Sequence, residues 1–76
     1  WGEADRGAVF DLEHFDEVLA RLFEIDGERA RVVELRFYAG LTLAEVAVAL
    51  GVSESTVERR WRGARAWLLN ALETPH

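Results

Sequence analysis

The chain has no cysteine, no methionine, no lysine and a single proline in 76 residues. Without cysteine there is no disulfide, no thiolate metal site and no thiol nucleophile, so packing alone must hold the fold. A domain of this length buries only roughly 60% of the surface its unfolded chain exposes, which leaves a small margin. The lack of methionine, with Trp1 at the start, is what a piece of a longer protein or a processed product would show. All nine basic residues are arginine, a bias that genome composition explains as readily as chemistry. The apolar runs are only a few residues long, so no stretch of about 20 is there to span a membrane, and no signal-peptide pattern opens the chain. An intracellular, cytoplasmic protein is the default expectation. Positive charge is scarce as well: nine basic against fourteen acidic residues leave a net charge of −5. Taken whole, that balance argues against a nucleic-acid partner.

Half of the residues are nonetheless apolar, and their spacing is helical. Residues 1–10 show little periodicity and read as a linker or arm. From Asp11, placed as an N-cap, Leu12, Phe15, Val18, Leu19, Leu22, Phe23 and Ile25 recur at three- and four-residue spacing, which predicts a helix over about 11–25. Asp26-Gly27 breaks it. Ala30, Val33 and Leu35, with Phe37 and Tyr38, predict a second helix over about 28–39, ended by Gly40 in a left-handed conformation. The adjacent Val32-Val33 makes a strand a weaker alternative there. Thr42 and Glu45 form a capping box for a short helix over 43–50. Gly51 stops that helix, and Ser53 caps a last one over about 54–72, with Glu54 near its positive end. Its core stripe is Val57, Trp61, Ala64, Leu68 and Leu72. Residues 74–76 read as a tail. The expected fold is all-α, four helices in one domain over 11–73, with no internal repeat.

The third helix, the turn Gly51-Val52-Ser53 and the fourth helix match a helix-turn-helix, whose second helix enters the major groove of DNA. Ala47 is small where the two helices cross, Gly51 permits a positive φ, and Val46, Leu50, Val52 and Val57 fill the wedge between them. An ordinary helical hairpin needs the same apolar residues, but not this joint placement of Ala, Gly and capping Ser. Charge then resolves the conflict. Residues 1–28 hold nine acidic and two basic side chains, and residues 29–76 hold five and seven, so the acidity is segregated towards the start. At 100° per residue from Val57, the core stripe of the fourth helix occupies about −20° to 60°, while Ser55, Glu58, Arg59 and Arg62 fall between about 100° and 200°. Arginine pairs with guanine or clamps phosphate, and Ser55 and Thr56 near the helix start donate to phosphate. Any one of these arginines, taken alone, is better read as part of a solvated face; the group on one helix favours DNA.

These residues carry a resemblance. Val33-Glu34-Leu35-Arg36-Phe37-Tyr38-Ala39-Gly40-Leu41-Thr42, then Glu45-Val46-Ala47, Leu50-Gly51-Val52-Ser53, Thr56-Val57 and Arg65-Ala66-Trp67-Leu68, resemble the C-terminal region 4 of extracytoplasmic-function (ECF) RNA polymerase sigma factors. The likeness runs over about residues 12–72. It implies a four-helix domain of the winged-helix-like DNA-binding superfamily, without a wing, that sets its last helix in the major groove of the promoter minus-35 element and docks on the β-flap of RNA polymerase. By position, Thr56, Glu58, Arg59 and Arg62 match the promoter-facing stretch, and Arg60 and Arg65 match recurrent basic positions. Thr42 and Ser53, at the two helix starts, complete the candidate DNA-binding set. Glu58 departs from the pattern, which often has Lys or Arg there; an acid rejects phosphate, accepts from a cytosine N4, or simply weakens binding. No domain that melts the minus-10 element is expected in 76 residues, so the chain alone should not direct initiation.

Two other readings compete. An output domain of the response-regulator type shares the capped helix-turn-helix and usually dimerises through its last helix, where Leu69 and Trp67 lie off the core stripe. They could equally form a docking site for an anti-sigma factor or polymerase, with the arginines as salt-bridge partners in a protein-interaction module; Trp67 could also simply pack on the first helix. An enzyme is not expected: His14 between Asp11 and Glu17 reads as surface decoration, and no phosphate loop or nucleophile motif is visible. No cofactor, metal or membrane partner is expected.

Overall fold

The computed structural model describes residues 11–73. The expected arm at 1–10 and tail at 74–76 lie outside the described residues. Four helices follow one another, α1 (Leu12–Ile25), α2 (Gly27–Phe37), α3 (Leu43–Leu50) and α4 (Glu54–Glu73), with no strand among the described residues. The strand alternative at Val32-Val33 is thereby excluded.

Each start is set by a side chain that satisfies a first-turn amide. The Asp11 carboxylate accepts from the His14 N–H at 3.1 Å. Asp26 has φ −154° and ψ 89°, which ends α1, and its carboxylate accepts from the Arg29 N–H at 3.2 Å to begin α2. The expected break at Asp26-Gly27 is therefore a junction of one residue, and Gly27 opens α2 rather than separating it from α1. At the other end α2 stops at Phe37, two residues short of the expected Ala39. The Tyr38 N–H still bonds the Glu34 carbonyl at 2.9 Å, and Gly40, at φ 70°, turns the chain. Helix α4 runs to Glu73, one residue past the expected end.

Helices α2 and α4 pack together through the middle, with α1 against both on one side and α3 against both on the other; α1 and α3 do not meet. The core accordingly has two parts. Phe15, Val18, Leu19 and Leu22 of α1 close on Ala30 and Val33 of α2 and on Ala64 and Leu68 of α4. Val32 joins Val46, Ala47 and Val57 in the second part, between α2, α3 and α4. The adjacent valines thus serve opposite sides of α2, which a single apolar stripe does not anticipate. Trp61 packs against both parts and is only partly buried, as are Leu72 and Trp67 at the far end. Leu69 stays exposed. Arg36 ties the two halves, its Nη1 donating to the Leu41 carbonyl at 2.8 Å and its guanidinium lying over the Trp61 ring at 5.1 Å. Phe37 and Tyr38 remain half exposed and stack beside Phe15, while the Tyr38 hydroxyl donates to the Asp16 carboxylate.

Candidate nucleic-acid interface

The turn between α3 and α4 is built by local chemistry. Gly51 sits at φ 70°, ψ 32°, a left-handed conformation that costs glycine nothing and any other residue strain. It lets the Gly51 N–H reach the Ala47 and Val48 carbonyls at 2.9 and 3.3 Å, and the Val52 N–H reach Ala47 at 3.1 Å, so the last carbonyls of α3 are satisfied. Ser53 then starts α4, its Oγ accepting from the Thr56 N–H at 3.1 Å. Val46 and Val57 are fully buried where the helices meet, Ala47 lets them approach, and Leu50 and Val52 close the wedge partly buried.

This arrangement gathers three of the candidate hydroxyls at one point. Ser53 Oγ donates to Thr56 Oγ1 at 2.8 Å and lies 3.2 Å from Ser55 Oγ, beside the positive end of the α4 dipole. Thr42 is held separately at the start of α3. Its N–H donates to Glu45 Oε1 at 2.8 Å and its Oγ1 accepts from the Glu45 N–H at 3.1 Å, the reciprocal capping box expected from the sequence.

Along α4 the charged candidates divide. Ser55, Glu58, Arg59, Arg62 and Arg65 are exposed, while Thr56 is partly buried. Glu58 and Arg62 pair at 3.9 Å, one helical turn apart. Arg59 and Arg65 make no ion pair or hydrogen bond with the described residues, so their guanidiniums are available to a partner. Arg60 points elsewhere: its side chain is 23% exposed and its Nη2 lies 3.4 Å from Glu28 at the start of α2. The structure therefore groups Arg60 with the α2–α4 contact and not with the outward arginines. Three residue steps from Val57 to Arg60 make about 300° of rotation, outside the arc of Arg59 and Arg62, and that was the signal available in the sequence.

Sequence reasoning missed Arg36. Its stack on Trp61 joins positions far apart in the chain, and no spacing rule reports such a pair. No group of three or more metal-ligating side chains comes together among the described residues, and none of their helices is long and apolar enough to cross a membrane.

The described residues thus form a capped helix-turn-helix with Arg59, Arg62 and Arg65 on its exposed face. The profile described as ECF sigma factor matches residues 3–74. The chain belongs to the ECF sigma factor family. No curated protein and no solved structure matches it. ECF sigma factors are transcription regulators that act with RNA polymerase and promoter DNA in initiation, and the four-helix architecture is that of an all-α sigma region 4 domain.

Proposed function

We propose that α4 of this ECF sigma factor domain is the recognition helix for the promoter minus-35 element, and that the domain works while tethered to RNA polymerase through the β-flap. The observation that carries the reading is the outward face of α4, where, among the described residues, Arg59 has no ion pair or hydrogen bond and Arg62 pairs with the exposed Glu58. Ser55 and Thr56 at the start of the same helix supply phosphate donors, with Ser53 positioning Thr56, Thr42 offers a second backbone contact from the start of α3, and Arg65 extends the basic strip. The few arginines available imply modest affinity for the isolated domain, made useful by attachment to polymerase. Replacing Arg59 and Arg62 together by Ala is expected to cost about 2–4 kcal/mol of binding to a promoter fragment and to flatten the salt dependence. Gel shift of both proteins across a salt series measures this, and equal affinity with an equal slope refutes it.

A protein contact is favoured by a different surface of the same domain. Leu41, Ala44, Glu45, Val48 and Ala49 line a shallow, mainly apolar depression on α3, in which Val48 is 84% exposed. An apolar side chain so open to water suits a partner that covers it, either the β-flap or an anti-sigma factor. Val48→Asp is expected to weaken binding to core polymerase at least tenfold while leaving duplex binding by the free domain unchanged. Pull-down and gel shift on the same variant separate the two functions.

A further inference from the structure

Between Ser55 and Arg65, Glu58 is the only acid on α4, and it stands on the face that carries Arg59 and Arg62. The fold does not need it there. It is exposed, belongs to neither part of the core, and caps nothing. Its one ion pair among the described residues, Oε1 to Arg62 Nη2 at 3.9 Å, joins two solvated groups, a kind of contact that adds little to stability. Its second oxygen has no partner among the described residues.

On a face turned towards DNA, a carboxylate is repelled by every phosphate, so it weakens binding to all sequences alike unless it meets a donor. The major groove offers only two: the exocyclic amines of cytosine (N4) and adenine (N6). Adenine places its N7 acceptor beside the amine, which opposes a second carboxylate oxygen. Cytosine has no acceptor of its own on that edge, so it is the better match. Thymine, with an O4 acceptor and a methyl group, and guanine, with the N7 and O6 acceptors, offer it no donor at all. Neighbouring arginines add context, since Arg59 lies about 1.5 Å and Arg62 about 6 Å further along the helix axis, which is within two base-pair steps.

We infer that Glu58 is a specificity-determining residue that accepts a hydrogen bond from a cytosine N4, within two base pairs of a guanine taken by Arg59 or Arg62. This rests on α4 being the recognition helix, and it adds which base is read and by what.

The test equilibrates the 76-residue chain, Glu58→Ala and Glu58→Gln with a randomised duplex pool at low salt, sequences the bound fraction, and measures affinity on the best duplex and its single-base changes. The chain is expected to prefer cytosine about tenfold over thymine at one position. Glu58→Ala should bind the whole pool more tightly and lose that preference, while selection of guanine nearby persists. Glu58→Gln should accept adenine at the same position, because an amide matches both N6 and N7. Identical base preferences in all three proteins overturn the inference and leave Glu58 as a brake on general affinity, with α4 still the reader. A chain that selects no sequence and shows no salt-dependent binding overturns the recognition-helix reading itself, and this inference with it.

Discussion

Two glycines in the α3–α4 half are required for opposite reasons. Gly51 is held at φ 70° with open space where a Cβ would stand, so its requirement is backbone conformation alone. Gly63 is helical, and a Cβ there would lie 2.8 Å from the Arg29 Cζ, so its requirement is room. Arg29 reaches that place on a flexible stem, and its ion pair with Asp26 at 3.4 Å is between groups well exposed to water. Gly51→Ala is therefore expected to destabilise by about 1 kcal/mol. Gly63→Ala should stabilise by about 0.5 kcal/mol, the gain in helix propensity outweighing the displaced exposed pair. Urea midpoints at constant m-value measure both changes, and a fall in stability for Gly63→Ala would mean that Arg29 cannot move aside.

At the scale of the element, α3 is the least self-sufficient piece. It has eight residues, too few for an isolated helix to persist in water, so its two ends and its packed face must hold it. Thr42 and Glu45 secure the first turn, and Thr42→Ala is expected to cost about 1 kcal/mol in a denaturant titration. Such local devices were fully legible in the sequence, because capping acts over three residues: Asp11, Thr42, Gly51 and Ser53 all do what their spacing implies. Asp26-Gly27 was harder, since the dipeptide signals a turn whether it separates two helices or, as here, lets one aspartate end the first and cap the second. Val32 was missed as a core residue because α2 has two buried sides, and period alone assigns one face to a helix. In the candidate site, the outward position of Arg59 and Arg62 followed from rotation along α4, whereas the engagement of Arg60 with Glu28 depends on where α2 comes to lie.

Across the whole molecule, the two parts of the core share α2, α4 and one large side chain. Trp61 touches both, and Arg36 lies over its ring while bonding the chain between α2 and α3. Trp61→Ala is expected to cost about 3 kcal/mol, a large share of the stability of a domain this small. It should also uncouple the halves, so that, with Trp1 replaced by Phe to leave Trp67 as the sole fluorophore, far-UV circular dichroism and Trp67 fluorescence no longer report the same unfolding midpoint. Coincident transitions in the variant would show that the α2–α4 contact suffices to keep the domain cooperative. The net charge of −5 belongs to this scale as well. Read whole it spoke against DNA, and only its distribution along the chain, acidic early and basic on α4, is compatible with the family to which the chain belongs.

The corner at Asp26 has no slack. A loop of several residues absorbs an extra one by bulging, but here an inserted residue must enter one helix or the other, turning everything beyond it by about 100°. Phe15, Val18, Leu19 and Leu22 would then face away from Ala30 and Val33. Length variation is accordingly to be sought at 38–42, not at 26. The acidic residues of α1 are, by the same token, carried on a helix welded to the core, so their charge is a stationary field and not a tether free to swing across the arginines.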